Sequence, residues 1–268
     1  MSLRINSNVE AFNAHRQLVG TAANAAKSME RLSSGLRINR AADDAAGLAI
    51  SERLRAQSTG LGQAQRNAQD AVSMVQTAEG SLNTVHAMLQ RVRELAVQYK
   101  NGSNSASDQT AIQSEVNQLA SEIERIGSSA DFNGIKLLNS TATISFQVGA
   151  NDSETITVAT ASLGSAVGTS YFALTSTGTT DISEIDAAIS NVSNQRATFG
   201  AVQNRLEHTL NNLATYQENL MASESRIRDV DMAAEMVQFT KYQILQQAGT
   251  SMLAQANQSP QSVLTLLR

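Results

Sequence analysis

Between Arg31 and Ser51 the chain reads RLSSGLRINRAADDAAGLAIS, with two glycines, three arginines and an adjacent pair of aspartates. Glycines beside arginines could cradle a phosphate, and paired carboxylates could exchange a proton. Neither pattern holds. The stretch lacks G-x-x-x-x-G-K-[ST] and G-x-G-x-x-G, and no strand precedes it. Neighbouring residues on a helix do not face each other, so Asp43 and Asp44 make no acid–base pair. What remains is a role at a helix start: one of the two aspartates caps and charges the next helix at its positive dipole end. Gly35 then ends the preceding helix, and Gly35, Arg37, Asn39, Asp43 and Asp44 form a joint between two helical layers.

Other chemistry finds no support. His15, His86 and His208 lie far apart, and neither H-E-x-x-H nor G-x-S-x-G occurs. The expectation is a protein that is not an enzyme and holds no metal or cofactor. Five N-x-[ST] tripeptides, at Asn101, Asn139, Asn151, Asn191 and Asn257, are chance matches in an Asn- and Ser-rich chain. QRVRELAV (Gln90 to Val97) places Arg91 and Leu95 as i,i+4 neighbours beside an apolar seam. Leu95 either widens the core stripe or, next to a guanidinium, meets a partner.

The elements that carry these residues follow from composition and period. Hydrophobic residues make up 41% of the 268-residue chain, aromatics only 4%, and there is no tryptophan. Such a core is built from Ala, Leu, Ile and Val and suits close helix packing better than a ligand pocket. A single proline, Pro260, permits very long helices. Cysteine is absent, which excludes disulfides and thiolate metal sites. The formal net charge of −4, with no basic stripe, argues against nucleic acid. No stretch is apolar enough to span a membrane, and MSLRINSNVEAFNAHRQL shows no cleavable signal.

From Leu61 a strict heptad series runs Leu61, Ala64, Ala68, Ala71, Val75, Ala78, Leu82, Val85, Leu89, Val92, Ala96, Tyr99. That predicts a helix of roughly 60 Å, ended by NGSNSASD. A second helix carries Ile112, Val116, Leu119, Ile123, Ile126 and Ala130 and stops at DFNG. Alternation at Ile144, Phe146 and Val148, a turn at GANDSE, then Ile156 and Val158 predict a β-hairpin. Helical spacing resumes at Ile185, Ile189 and Val192. It runs through Phe199, Val202, Leu206, Thr209, Leu213, Tyr216, Leu220, Ser223, Ile227 and Val230, on toward Val237 and Ile244. The fold class is therefore mainly α: a long antiparallel coiled-coil-like helical bundle with a small β-hairpin insertion and paired terminal helices.

The ends are unusually apolar. Ile5, Val9, Phe12 and Val19 fit one seam, and Ala22, Ala25, Met29 and Leu32 a weaker one. Met232, Met236, Phe239, Ile244, Leu245, Ala248, Met252 and Leu253 spread around most of the last helix, and the chain finishes with Val263, Leu264, Leu266, Leu267 and Arg268. Chain ends are ordinarily polar and frayed. A helix apolar on several faces needs several neighbours, and the expected neighbours are other copies of the chain. A head-to-tail contact that does not close gives an open helical filament.

Long motifs in both halves resemble bacterial flagellin: LSSGLRINRAADDAAGLAIS, NAQDAVSMVQTAEGSL, QRVRELAV, DFNGIKLL, FQVGAN, then GAVQNRLEHTLNNL, ASESRIRDVDMAAEM and MLAQANQSPQSVLTLLR. The resemblance implies a self-assembling subunit of the flagellar filament, extracellular and exported through the type III apparatus without a cleaved signal. It assigns residues 1–43 and 230–268 to inner-tube helices with their spoke, and 44–139 and 181–229 to an outer-tube bundle. Residues 140–180 become a hairpin and short connector without a separate outer domain. It implies inner-tube assembly through Ile5, Val9, Phe12, Val263, Leu264, Leu266, Leu267 and Arg268. Further implied partners are an export chaperone, hook-associated junction and cap proteins, a host Toll-like receptor contacting Arg91, Leu95 and Glu115, and inflammasome sensors reading the C-terminal leucines. Two rivals stand beside it: a hook–filament junction protein, which shares the terminal motifs, and a secreted helical effector with the same export ends.

Overall fold

The computed structural model describes residues 7–167 and 181–266. The chain divides into two compact units, residues 1–56 with 219–268 and residues 57–218. The dividing point falls inside two long helices. Ile5, Leu267 and Arg268 lie outside the described residues, as does the connector at 168–180.

Helix α1 spans Val9–Ser34 and α2 spans Ala45–Tyr99, 55 residues or about 80 Å. Asn8 caps α1 by accepting from the Ala11 amide at 3.0 Å. Gly35 ends it in the left-handed region (φ 71°), which glycine enters without a Cβ penalty, and its N–H returns to the Arg31 carbonyl. Helix α3, Ala106–Ser129, opens on a capping box: the Ser105 side chain takes the Asp108 amide, and the Asp108 carboxylate takes the Ser105 amide.

In the unit of residues 57–218 the heptad series from Leu61 to Ala96 is buried at every position, with Tyr99 half-buried at its end. Ile112, Val116 and Ile123 of α3 are buried too. So are Ile185, Val192, Phe199 and Leu206 of α5, which spans Asp181–Arg228. DFNG does more than stop α3. Asn133 (φ 49°) and Gly134 (φ 79°) make a two-residue turn joining β1, Asp131–Phe132, to β2, Ile135–Lys136. The expected hairpin is β3, Thr143–Gln147, against β4, Thr155–Ala159, with Ile144 opposite Val158 and Phe146 opposite Ile156. Ile156 and Val158 enter the same core as the helices. Short α4, Leu163–Val167, rests on α3, where Leu163 lies against Gly127.

Two details of the return helix differ from its sequence reading. Tyr216 is exposed, and Gln217 takes the inward position between Leu213 and Leu220. Gln217 accepts from the Gln65 amide at 3.1 Å and donates to the Ser58 carbonyl at 3.3 Å, so an inward amide is satisfied there. The helical step also does not run on to Val237. Helix α5 ends at Arg228, Val230 is non-helical, and α6 (Met232–Leu266) begins afresh with Asp231 accepting from the Ala233 and Ala234 amides. Apolar spacing alone cannot see such a break, because Val237 and Ile244 keep the step although both face outward on α6.

Candidate assembly surface and joint

In the terminal unit α1 and α6 pair antiparallel. The Asn8 side chain donates to the Ala256 carbonyl at 2.7 Å, Leu18 meets Gly249, and Arg31 pairs with Glu235 at 3.6 Å. The residues turned inward on α1 are Ala11, Ala14, Leu18, Thr21, Ala25, Ser28 and Leu32, a heptad series of mostly small side chains. On α6 the corresponding series is Glu235, Phe239, Tyr242, Gly249, Leu253 and Ala256. Small residues on one helix and an absent Cβ at Gly249 let the backbones approach closely.

That leaves the larger apolar side chains outside. Val9, Phe12 and Val19 of α1 are exposed, Phe12 at 71%. So are Met232, Met236, Val237, Ile244, Leu245 and Met252 of α6. The seam read through Val9, Phe12 and Val19 is therefore real as a stripe, and it is not the stripe that pairs α1 with α6. Of the C-terminal set, Val263, Leu264 and Leu266 lie within α6.

The joint is built from both passes of the chain. Leu36 and Asp229 form an antiparallel bridge, with the Arg37 amide on the Arg228 carbonyl at 2.6 Å and the Val230 amide on the Gly35 carbonyl at 3.0 Å. Arg37 also donates from its guanidinium to the Ile227 carbonyl, and Arg228 pairs with Glu52 at 2.7 Å. The two aspartates divide the work. Asp44 caps α2, accepting from the Gly47 amide at 2.9 Å. Asp43 closes the loop, accepting from the amides of Asn39 and Arg40 and pairing with Lys27 at 2.6 Å. Gly47 is needed for room: a Cβ there would crowd the Asp44 carboxylate and stand 2.9 Å from the buried Ile38 methyl. The second segment of this joint, Asp229 to Asp231, is a non-helical break that apolar spacing does not mark. The signal was present as Asp231, an N-cap residue type placed just before MAAEM.

Lys27, with the two backbone amides, holds the Asp43 carboxyl at about 2, below its ordinary 3.8. A depressed carboxylate contributes stability that is fully present above 3.8 and disappears as pH falls toward about 2. Asp43→Asn is therefore expected to flatten the acid limb of terminal-unit stability across that window. Helix-specific hydrogen exchange from pH 5 to 2 checks it, and an unchanged acid limb would show that Asp43 does not carry it.

QRVRELAV lies in the other unit. Arg91 donates to Glu115 Oε1 from Nε at 3.0 Å and Nη2 at 2.9 Å, and to Glu94 at 3.2 Å. Both carboxylates, Glu115 first, hold the guanidinium charge more firmly. Arg93 clamps Asp186 of α5 at 2.6 Å. Arg91 and Glu115 are half-exposed, but Leu95 is only 1% exposed, packed among Val92, Ala96, Ile112, Val116 and Ile185. Leu95 widens the core stripe, and its side chain offers no surface in this chain. The histidines lie on three different helices, α1, α2 and α5, and among the described residues no cluster of His, Asp or Glu could hold a metal.

The profile of the bacterial flagellin N-terminal helical region matches residues 5–143, and that of the flagellin C-terminal helical region matches 182–267. The chain belongs to the flagellin family. A flagellin from Halalkalibacterium halodurans is 54% identical over 270 residues, covering 98% of this chain and 99% of its own. The flagellar filament 33 kDa core protein of Treponema phagedenis is 48% identical over 284 residues, covering 98% and 99%. The crystal structure of Bacillus cereus flagellin is similar with a TM-score of 0.51 and 36% identity, over 55% of this chain and 88% of that one. Flagellins are structural filament proteins and not enzymes, and matches along the whole length do not favour the junction-protein or effector readings.

Proposed function

We infer that this chain is a filament subunit that polymerises with copies of itself through the outward faces of α1 and α6. The observation that carries this is the double use of the terminal helices. One heptad seam on each pairs them, and the larger apolar residues, Phe12, Val9, Val237 and Ile244, stay in water. Apolar area covered by a neighbouring copy is removed from water at about 25 cal/mol per Å². Membership of the flagellin family gives that surface its product, the flagellar filament outside the cell. Ile5, Val263, Leu264, Leu266, Leu267 and Arg268 belong to the same assembly proposal.

Purified monomer seeded with short filament fragments and viewed by electron microscopy tests it. Long tubes are the expected result. Closed short rings would move the chain to a junction role, and inert monomer would remove the assembly reading. The finer partners belong to the same proposal. Unpolymerised apolar ends are what an export chaperone would cover before passage through the type III apparatus, and junction and cap proteins would meet the filament's two ends. A Toll-like receptor contact would rest on the half-exposed Arg91 and Glu115, with Leu95 shaping the helix beneath them. The C-terminal leucines are the segment for an inflammasome sensor.

A further inference from the structure

Methionine is distributed unequally between the two units. In residues 57–218, Met74 is buried and Met88 packs against the same core. In the terminal unit Met29, Met221, Met232, Met236 and Met252 all stand between 48% and 64% exposed. Met232 and Met236 lie one turn apart on α6, and Met236 lines an open apolar groove with Val237, Thr240, Lys241 and Ile244. No cysteine competes with them for an oxidant.

We propose that the four thioethers on α1 and α6, Met29, Met232, Met236 and Met252, are reversible oxidation sites of the unassembled subunit, with a peroxide as oxidant and methionine sulfoxide reductases as partners, and that the sulfoxides keep the subunit out of the filament. This rests on the reading of the α1 and α6 faces as the assembly surface. The sulfur lone pair attacks a peroxide oxygen, the O–O bond breaks, an S–O bond forms and water leaves. Sulfur loses two electrons and the peroxide gains them. Repair runs the other way: a dithiol supplies two electrons and two protons, the oxygen leaves as water, and one reductase serves each sulfoxide epimer. A sulfoxide turns a flexible apolar side chain into a polar one. On an exposed helix that change costs little. Under a neighbouring copy it leaves an S=O dipole without water, which opposes association. Once the filament has formed, the same residues are covered and escape oxidation, so the site acts on free subunits.

The experiment uses the full chain. Monomer is treated with dilute hydrogen peroxide, the oxidised positions are mapped by peptide mass spectrometry, and seeded elongation is followed by light scattering and electron microscopy. Met29, Met221, Met232, Met236 and Met252 are expected to oxidise before Met74 and Met88. Elongation is expected to slow by about tenfold or more, with the thermal unfolding of residues 57–218 unchanged. Treatment with both reductases and a dithiol restores it. The volume-conserving variant M29L/M232L/M236L/M252L is expected to elongate at the untreated rate after peroxide; if its own packing prevents assembly, the reductase arm alone decides. Oxidised monomer that elongates within twofold of untreated, or that stays inactive after complete repair, overturns the proposal. Untreated monomer that never elongates removes the assembly reading instead, and this proposal with it.

Discussion

Val237→Asp and Ile244→Asp, introduced together into α6, are expected to leave the monomer folded and to abolish seeded elongation. Val237 is 68% exposed and Ile244 60%, so neither substitution removes packing within the chain. Valine, isoleucine and aspartate also differ by only a few tenths of a kcal/mol in helix propensity. The expected cost therefore falls on association. A carboxylate placed under a neighbouring copy without a partner loses its water, and an uncompensated buried charge costs on the order of 3–5 kcal/mol. Two such charges per subunit weaken each addition by about a thousandfold or more. Circular dichroism of the monomer and filament mass after seeding are the two readouts. Filaments of normal length from this variant would place the assembly surface elsewhere on the chain. The doubly substituted His208→Ala, Glu218→Ala control changes polar groups of α5 in the unit of residues 57–218 and is expected to elongate.

Most of the helical bundle was legible because its signal is repetitive. From Leu61 to Ala96 the heptad spacing names inward residues one after another, and all of them are buried. Gly35 and the Asp43–Asp44 pair were legible for a different reason: helix ends need a left-handed residue and an amide acceptor, and few residue types supply them. The failures lie where a period could be continued without being obeyed. Tyr216 and Gln217 occupy adjacent positions of an alternating three–four step, and either keeps the count. The inward place goes to Gln217 because Gln65 and the Ser58 carbonyl satisfy its amide. Val230 keeps the phase although the helix has ended, because the backbone pairing of Leu36 with Asp229 comes from a segment almost two hundred residues earlier. At the N-terminus the eye follows Val9, Phe12 and Val19 because they are large. The pairing of α1 with α6 uses Ala25 and Leu32 of the weaker stripe together with Ala11, Ala14 and Leu18, whose small or isolated apolar side chains give little hydrophobic signal.

Leu95 and Arg91 are one helical turn apart and are expected to respond in opposite ways to truncation. Leu95→Ala removes a buried side chain from the cluster of Val92, Ile112, Val116 and Ile185, where the loss of transfer energy and the residual cavity together cost about 2–5 kcal/mol. For a unit of this size each kcal/mol lowers the melting temperature by about 2–4 °C, so a loss of roughly 4–20 °C is expected. Arg91→Ala breaks ion pairs whose groups are about half or more in water, and solvent screening leaves such pairs little net stability. Its melting temperature should stay within about 3 °C of the parent. The contrast bears on the proposed receptor contact. A receptor signal lost in Arg91→Ala at unchanged stability reports a surface contact, because the helix beneath has not moved. The same loss in Leu95→Ala reports the collapse of the platform that holds Arg91 and Glu115, and it should recover on cooling or with the gentler Leu95→Met. If Leu95→Ala melts with the parent while receptor binding vanishes, Leu95 faces outward in solution and the core assignment of QRVRELAV is wrong.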